Sequence, residues 1–313
     1  MDAILVAMGG NSLLDKSLPP TVANQFQITS RAVAPVADLL THGAQIILTH
    51  GNGPQVGFMQ LRSHLAQAEV HQVPLDSLVA DTQGAIGYMI QRDLREQLRL
   101  RGTEAEVATV VTEVRVDPDD PAMKNPQKPV GRFYTADEAA RLQAERGWDM
   151  VEDSGRGHRR VVPSPHPQEV VQLATIRRLV EAGVTTISCG GGGIPVVREE
   201  DGTIRGVEGV IDKDRTSALL GNSLGVKRMI ITTGVERIFR NFQSGSPEEI
   251  KETTVSELRK LADDGHFLLG SMGPKDEAAC TFLDRGGEEV TICRPKDLVL
   301  AYHGVSGTTI RRG

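Results

Sequence analysis

Three lysines stand in settings that suit the binding of an anionic phosphoryl group. Lys213 lies between Asp212 and Asp214, whose carboxylates can hold its ammonium in place. Lys128 lies in a proline-rich stretch, and Lys275 follows a Gly-Pro pair at the start of a predicted helix. A cation held in this way can stabilise the charge on a transferring phosphoryl group. For each lysine, a structural role at the surface or at a helix start stays open at this point.

Three glycine-rich turns each follow a short apolar run. They occupy residues 9–11, 50–53 and 190–193. Parallel strands end at the same edge of a sheet, so we expect the turns to form one crevice lined by backbone N–H groups, which suits an anion. His50 is interpreted as a turn residue bonded to backbone rather than as a general base. No turn matches the dinucleotide-binding fingerprint or the P-loop, so neither of those protein classes is favoured.

Strand-sized apolar runs alternate with amphipathic stretches along the chain. Strands are predicted at 3–8, 45–49, 106–114, 184–189 and 228–233, and helices at 28–40, 82–100, 168–182, 216–224 and 275–285. This alternation predicts an α/β fold with helices on both faces of a mostly parallel sheet.

Residues 117–167 interrupt the alternation. The prolines within 117–131 argue against regular structure there, and a short helix is predicted near 136–146. Arg159 and Arg160 are interpreted as solvated side chains of a stiff connector rather than as an anion clamp. The region as a whole is predicted to be an insertion or a lid.

Composition excludes several kinds of partner. The chain has 313 residues, a net charge of −6 and 4% aromatic residues, which together argue against a nucleic-acid partner. The three cysteines are far apart and lack metal-ligand spacing, which favours a reducing compartment. The start of the chain lacks the pattern of a signal peptide, and no run reaches membrane-spanning length. We therefore expect a cytoplasmic enzyme with no membrane partner.

Taken in order, these segments resemble the carbamate kinases, a family with the amino-acid kinase fold. The matching segments span nearly the whole chain, at 9–11, 49–57, 83–88, 128–131, 160–165, 190–195, 211–214 and 270–275. The resemblance implies reversible phosphoryl transfer between ATP and carbamate, giving ADP and carbamoyl phosphate, with Mg²⁺. It also implies small-molecule substrates, a homodimer, and a place in arginine or purine/allantoin catabolism.

The resemblance further implies a three-layer sandwich with a protruding subdomain near 117–167. A carbamate-binding lobe over 1–205 would include that subdomain, and a nucleotide-binding lobe would cover 206–313. Catalytic roles are implied for Lys128, Lys213, Asp212 and Asn11. Acceptor binding is implied for Gly9, Gly10, Gly51, Asn52, Gly53, Gly191 and Gly192. Nucleotide binding is implied for Lys275, Asp214, Thr233, Met272 and Gly273, and no residue is assigned as a metal ligand.

Some positions depart from the family pattern. Gly234 stands where the family commonly has an aspartate, and Glu113 where it often has a glutamine. Arg240 and residues 242–245 also differ. A carboxylate at Glu113 would repel an anionic substrate unless it is paired. Two alternatives therefore stay open: a kinase for another small carbamate-like or carboxylate acceptor, and a nucleotide-impaired regulatory homologue.

Overall fold

A computed structural model describes residues 2–13, 17–19, 21–153, 155–241, 247–266 and 273–313, with only the backbone of residues 11 and 12. The helices are α1 (Val22–Thr41), α2 (Gly53–Leu65), α3 (Leu75–Leu100), α4 (Ala136–Arg146), α5 (Leu173–Glu181), α6 (Lys213–Leu224), α7 (Val255–Asp263), α8 (Gly273–Asp284) and α9 (Leu298–Tyr302). The strands are β1 (Ala3–Met8), β2 (Gln45–His50), β3 (Val107–Thr109), β4 (Glu113–Val116), β5 (Lys128–Tyr134), β6 (Met150–Glu152), β7 (His158–Val162), β8 (Pro167–Val170), β9 (Thr185–Ile187), β10 (Ile194–Arg198), β11 (Ile204–Gly206), β12 (Arg228–Thr232), β13 (Ile238–Arg240), β14 (Glu248–Ile250), β15 (Glu252–Thr254), β16 (Glu289–Cys293) and β17 (Thr308–Arg311).

The central sheet aligns the strands that carry the glycine turns. In the described part of the chain its order is β15-β17-β16-β12-β1-β2-β9-β3. β12, β1, β2 and β9 run parallel to one another, while β17 is antiparallel to β16. The prediction that the three turns share one edge is confirmed, because β1, β2 and β9 are direct neighbours.

Helices cover both faces of this sheet. Along β1, Ile4, Val6 and Met8 pack into the core formed with α1, α3 and α9, whereas Leu5 and Ala7 pack on the opposite face against α5, α6 and α8. Alternate residues of a strand point to opposite faces, so a strand that is apolar throughout must be buried on both. The three-layer α/β sandwich is thereby confirmed.

Two smaller sheets complete the part of the fold that surrounds the site. β11, β10, β4 and β8 form one, and β5, β7 and β6 form the other. The second sheet and α4 enclose a small core of Tyr134, Leu142 and Trp148. Its first strand is held against α2, where a Cβ on Gly57 would lie 1.9 Å from the Cα of Gly131. Residues 117–167 thus include a subdomain with its own packing.

The structure corrects several predicted elements. The run 106–114 is two strands, because the chain leaves the central sheet after Thr109 and enters another sheet at Glu113. The predicted helix 168–182 begins as β8, and α5 follows from Leu173. The stretch 117–131 was wrongly expected to lack regular structure, since β5 starts at Lys128. β5 and β8 are edge strands, where proline is tolerated.

None of the helices among the residues described here combines the length and apolar character needed to cross a bilayer.

Candidate active site

The glycine turns pack against one another at the carboxyl edge of the central sheet. A Cβ on Gly51 would lie 2.7 Å from the backbone nitrogen of Gly10, so both turns need glycine for this approach. The cavity beside them has a volume of about 270 Å³. Its lining residues come from the turns after β1, β2 and β9, the end of β12, the subdomain and the starts of three helices: Gly9, Gly10, Gly51, Asn52, Gly53, Pro54, Lys128, Pro129, Val130, Arg159, Gly191, Val210, Ile211, Asp212, Lys213, Asp214, Thr232, Thr233, Gly234, Pro274 and Lys275.

The four-glycine run forms a buried 3₁₀ turn behind this cavity. Gly191, Gly192 and Gly193 have φ values of 69°, 97° and 89°, a region that side-chain-bearing residues rarely adopt. A Cβ on Gly191 would lie 2.2 Å from Nδ2 of Asn52, and one on Gly192 would lie 2.3 Å from the carbonyl oxygen of Ile211. The run therefore lets the turn after β2 and the start of α6 come close together.

Three helices begin at the cavity. α2 starts at Gly53, α6 at Lys213 and α8 at Gly273, and residues from the first turn of each line the cavity. Helix N-termini carry unpaired N–H groups and a partial positive charge. By contrast, the N–H of Gly51 donates to the carbonyl of Met8, and that of Gly9 to Thr232 Oγ1. The helix starts thus supply dipoles that favour an anion, while the turns supply close approach. The first N–H groups of α6 are capped by Asp212, so that helix contributes its dipole and Lys213 rather than unpaired N–H groups.

Asp212 joins the subdomain to the start of α6. One carboxylate oxygen caps the helix by accepting from the backbone N–H of Asp214 at 2.9 Å, and the other binds Nζ of Lys128. Burial would raise the pKa of this carboxyl, but the Lys128 ammonium, with Lys213 and the cap, holds the pKa well below its usual range. Asp212 is therefore a permanent anion that fixes Lys128 at the cavity.

Asp214 holds the other two lysines. Its Oδ1 binds Nζ of Lys213, and its Oδ2 lies 3.3 Å from Nζ of Lys275. The Asp214 side chain is only 2% exposed, so these pairs are shielded from solvent. Burial lowers the pKa of Lys213, Asp214 opposes that shift, and Lys275 reinforces it. The two ammonium groups are thus held close to each other, an arrangement that favours a bound anion.

The turn after β2, residues 51–52, is held from behind. Asn52 is buried and donates from Nδ2 to Thr82 Oγ1 at 2.8 Å. His50 is buried, its Nδ1 lies 3.2 Å from the carbonyl oxygen of Gly51, and burial lowers its pKa to about 4. The interpretation of His50 as a turn residue bonded to backbone is confirmed.

Most of the predicted site residues meet at this one cavity. Those that line it are Gly9, Gly10, Gly51, Asn52, Gly53, Lys128, Gly191, Asp212, Lys213, Asp214, Thr233 and Lys275. Gly192 lies behind the lining and Gly273 lies at the start of α8, beside it. Asn11 contributes described backbone beside Gly10, but its side chain and Met272 lie outside the described residues.

Two residues with polar side chains line the cavity but were not among the predicted site residues. Thr232 ends β12 and accepts from the N–H of Gly9, and its place at a strand end was the available signal. Arg159 was predicted to be solvated, yet its side chain is only 17% exposed and faces the cavity. Arg160 is also partly covered, with its guanidinium carbon 4.7 Å from the Trp148 ring centre. The expectation of solvated arginines is therefore wrong.

The departures from the family pattern fall in different places. Gly234 lines the cavity, and a Cβ there would meet no heavy atom within 4 Å. Glu113 does not line the cavity, and its carboxylate accepts a hydrogen bond from Gln172 Nε2 at 2.8 Å. The carboxylate is therefore paired and away from the cavity, so it is not placed to repel an anionic substrate. Arg240 pairs with Glu248 across the β13–β14 hairpin. Residues 242–245 lie outside the described part of the chain.

The arrangement suits the binding and transfer of an anionic group. Three lysines and three helix starts surround a cavity that two carboxylates keep ordered. Among the described residues there is no group of three or more side chains suited to hold a metal ion. Among the described residues that line the cavity, the carboxylates are Asp212 and Asp214.

Comparison with known proteins gives a consistent result. Residues 2–294 match the amino acid kinase family. The chain is 42% identical to the carbamate kinase of Pyrococcus furiosus over 309 residues, which cover 98% of each chain. It is 40% identical to the carbamate kinase-like protein YahI of Escherichia coli, with 99% of this chain and 98% of that one covered. The solved carbamate kinase of Giardia lamblia bound to AMP-PNP superimposes with a TM-score of 0.91 at 37% identity, covering 100% of this chain and 99% of that one.

Proposed function

The chain belongs to the amino acid kinase family, and we propose that within it the protein is a carbamate kinase. It transfers the terminal phosphoryl group of ATP to carbamate, giving ADP and carbamoyl phosphate, and runs the reaction in reverse. The single observation that carries this proposal is the set of three lysines tethered by Asp212 and Asp214 around one cavity. Relatives at about 40% identity over the full chain support the choice of acceptor.

The reaction needs little covalent help from the protein. A carbamate oxygen forms the new bond to the γ-phosphorus as the bond from that phosphorus to the bridging oxygen breaks, and ADP leaves with the electron pair. Negative charge accumulates on the transferring group and on the leaving oxygen. The protein's task is to align the two substrates and to place cations where that charge develops.

Each lysine has a defined place in this scheme. Lys213 passes the turn at Gly51, with its Cδ 3.2 Å from the position of a Cβ there. Lys128 reaches the same side from the subdomain and is held by Asp212. Lys275 lies in the first turn of α8, where a lysine is unfavourable unless an anion offsets the helix dipole. We assign Lys128 and Lys213 to the transferring group and Lys275 to the nucleotide phosphates.

The nucleotide brings its own Mg²⁺ in this proposal. An ion carried by the phosphates would neutralise part of their charge. Because both oxygens of Asp212 and of Asp214 are engaged by lysines or by the α6 backbone, the phosphates and water would supply most of its ligands. Thr233 and Gly234 at the end of β12 form the cavity wall on the nucleotide side. Residues 206–313 would then be the nucleotide-binding lobe, and residues 1–205, with the subdomain near 117–167, the carbamate-binding lobe.

The cellular setting and assembly are part of the proposal. All three cysteines are buried and free, which fits a reducing compartment such as the cytoplasm.

We also propose a homodimer. Val22 on α1 and Tyr88 on α3, each 59% exposed, border an apolar groove that a second copy would cover. Sedimentation of the wild type and of Tyr88→Lys tests this, with a dimer expected for the first and a shift towards monomer for the second.

An acyl phosphate panel tests the function and separates the alternatives. The protein is incubated with ADP, Mg²⁺ and either carbamoyl phosphate or acetyl phosphate, and ATP formation is followed through a coupled assay. We expect rapid ATP formation from carbamoyl phosphate and little from acetyl phosphate. Preference for acetyl phosphate would instead favour the carboxylate-acceptor kinase. Folded protein that forms ATP from neither and does not bind ADP would favour the regulatory homologue.

A further inference from the structure

Arg159 extends from β7 of the subdomain to the wall of the cavity that contains Lys128. Its Nη1 lies 3.2 Å from Oδ2 of Asp153, and its Nη2 donates to the carbonyl oxygen of Pro129 at 3.2 Å. Its guanidinium carbon lies 5.3 Å from the centre of the Phe133 ring. Both terminal nitrogens are thus engaged by the protein, which argues against Arg159 as the main substrate ligand.

The carbonyl that Arg159 holds belongs to the residue after Lys128. The ring of Pro129 fixes its own φ and restricts the backbone of Lys128 to extended conformations. Both residues lie in β5, which pairs with β7, and the ψ of Pro129 sets the direction of its carbonyl. A hydrogen bond from Arg159 to that carbonyl therefore fixes the backbone from which the Lys128 side chain extends.

The segment 128–131 is anchored at both of its ends, and the hydrogen bond from Arg159 holds the residue between them. At one end, Lys128 binds Asp212, and at the other, Gly131 packs against Gly57 of α2. The β5–β7 register places Pro129 opposite Val161, so the bond from Arg159 is additional to the strand pairing. Asp153 pairs with Arg159, so the guanidinium is ion-paired where it reaches the cavity.

We propose that Arg159 is a positioning residue that acts on phosphoryl transfer through Lys128. The expected effect on kcat rests on the proposed function, whereas the expected effect on the position of Lys128 does not depend on the reaction. Loss of Arg159 lets the Lys128 backbone rotate and moves the ammonium away from the transferring group. Displacement of a catalytic group by about 1 Å can reduce turnover by about 100-fold.

Arg156 provides a matched control within the same subdomain. Its Nη2 lies 3.0 Å from Oδ1 of Asp153, and its guanidinium carbon lies 4.8 Å from the Phe133 ring centre. It thus shares both the carboxylate and the aromatic ring with Arg159. However, its side chain is 53% exposed, and it is not among the residues that line the cavity.

The kinetic test compares Arg159→Ala, Arg159→Lys and Arg156→Ala in the presence and absence of Lys128→Ala. We expect Arg159→Ala to lower kcat by about 10- to 100-fold with little change in the KM for carbamoyl phosphate. Arg159→Lys should not restore kcat, because one ammonium group cannot bind Asp153 and the Pro129 carbonyl as the two terminal nitrogens of arginine do. Arg156→Ala should keep a kcat within about twofold of the wild type. In the Lys128→Ala background, Arg159→Ala should have almost no further effect. An equal loss in both backgrounds, or a rise in KM at unchanged kcat, would overturn the proposal.

A second readout does not depend on activity. Lysine acetylation by acetic anhydride is measured by mass spectrometry for Lys128 relative to Lys275 in each folded variant. We expect labelling of Lys128 to rise several-fold in Arg159→Ala and Arg159→Lys but not in Arg156→Ala, because an ion-paired amine reacts slowly. Unchanged Lys128 labelling in both Arg159 variants would refute the positioning role even if the wild type proved inactive with carbamoyl phosphate. An inactive wild type with raised labelling would count against the proposed function alone.

Discussion

The buried carboxyl of Asp276 makes stability depend on pH in a way that one substitution should remove. Asp276 lies in the first turn of α8 and is 4% exposed, and neither carboxylate oxygen has a hydrogen-bond partner among the described residues. Burial raises its pKa to about 7, and the nearby Lys275 ammonium only partly opposes that rise. A carboxyl whose pKa is higher in the folded state stabilises the fold when protonated, and this contribution is lost as the pH rises towards 7.

The magnitude follows from the two pKa values. The gap between the ordinary value of 3.8 and about 7 corresponds to a cost on the order of 4 kcal/mol once the group is fully ionised. Between about pH 5 and about pH 8, this single group should lower the free energy of unfolding by about 2–3 kcal/mol. Asp276→Asn keeps the shape but not the charge, so it should be more stable than the wild type at pH 8 and should differ less at pH 5.

Urea unfolding of both proteins across this pH range measures the difference directly. Asp284→Asn is the matched control, because Asp284 ends the same helix, is 42% exposed and pairs with Arg259. We expect that Asp284→Asn does not become more stable relative to the wild type as the pH rises. A difference between Asp276→Asn and the wild type that stays constant from pH 5 to pH 8 would refute the assignment of a raised pKa to Asp276.

Three further predictions concern the cavity. Asp212→Asn keeps an N-cap for α6 but loses the charge that holds Lys128. We therefore expect kcat to fall by about 10- to 100-fold while the thermal midpoint changes little. A large loss of stability with normal turnover of the folded fraction would contradict this. Gly191→Ala places a side chain at φ 69° against Asn52, so urea unfolding should show a loss of about 2–4 kcal/mol, and wild-type stability would disprove the packing argument. Gly234→Asp introduces the aspartate that the resemblance to the family leads us to expect there, in space that is open. It should tighten ADP binding by about three- to tenfold in calorimetry. An unchanged affinity for ADP would show that Gly234 does not weaken nucleotide binding.

The sequence predicted the parts of the site that depend on local pattern. Glycine turns after apolar runs indicated which strands end at the site, and the sheet places β1, β2 and β9 side by side. The sequence Asp212-Lys213-Asp214 before a helix likewise indicated a charged cluster, because a helix cap is set by neighbouring residues. These features need only strand polarity and short-range geometry to be interpreted.

What the sequence could not show depends on contacts between distant segments. Lys128 binds Asp212 across 84 positions, and no local pattern indicates that pairing. Arg159 resembled a solvated connector residue because its burial is created by the subdomain that folds around it. The run 106–114 appeared to be one strand, since its apolar residues do not show that the chain changes sheets after Thr109.

The most direct test of the account is ATP formation from ADP and carbamoyl phosphate by the wild type and by Lys213→Ala, measured in one coupled assay. Lys213 is held by Asp214 beside the turn at Gly51, so removal of its ammonium should lower kcat by about 1,000-fold while the variant stays folded. We expect sustained turnover by the wild type and this loss in the variant. Folded wild-type protein that forms no ATP, or a variant within about twofold of wild-type turnover, would contradict it.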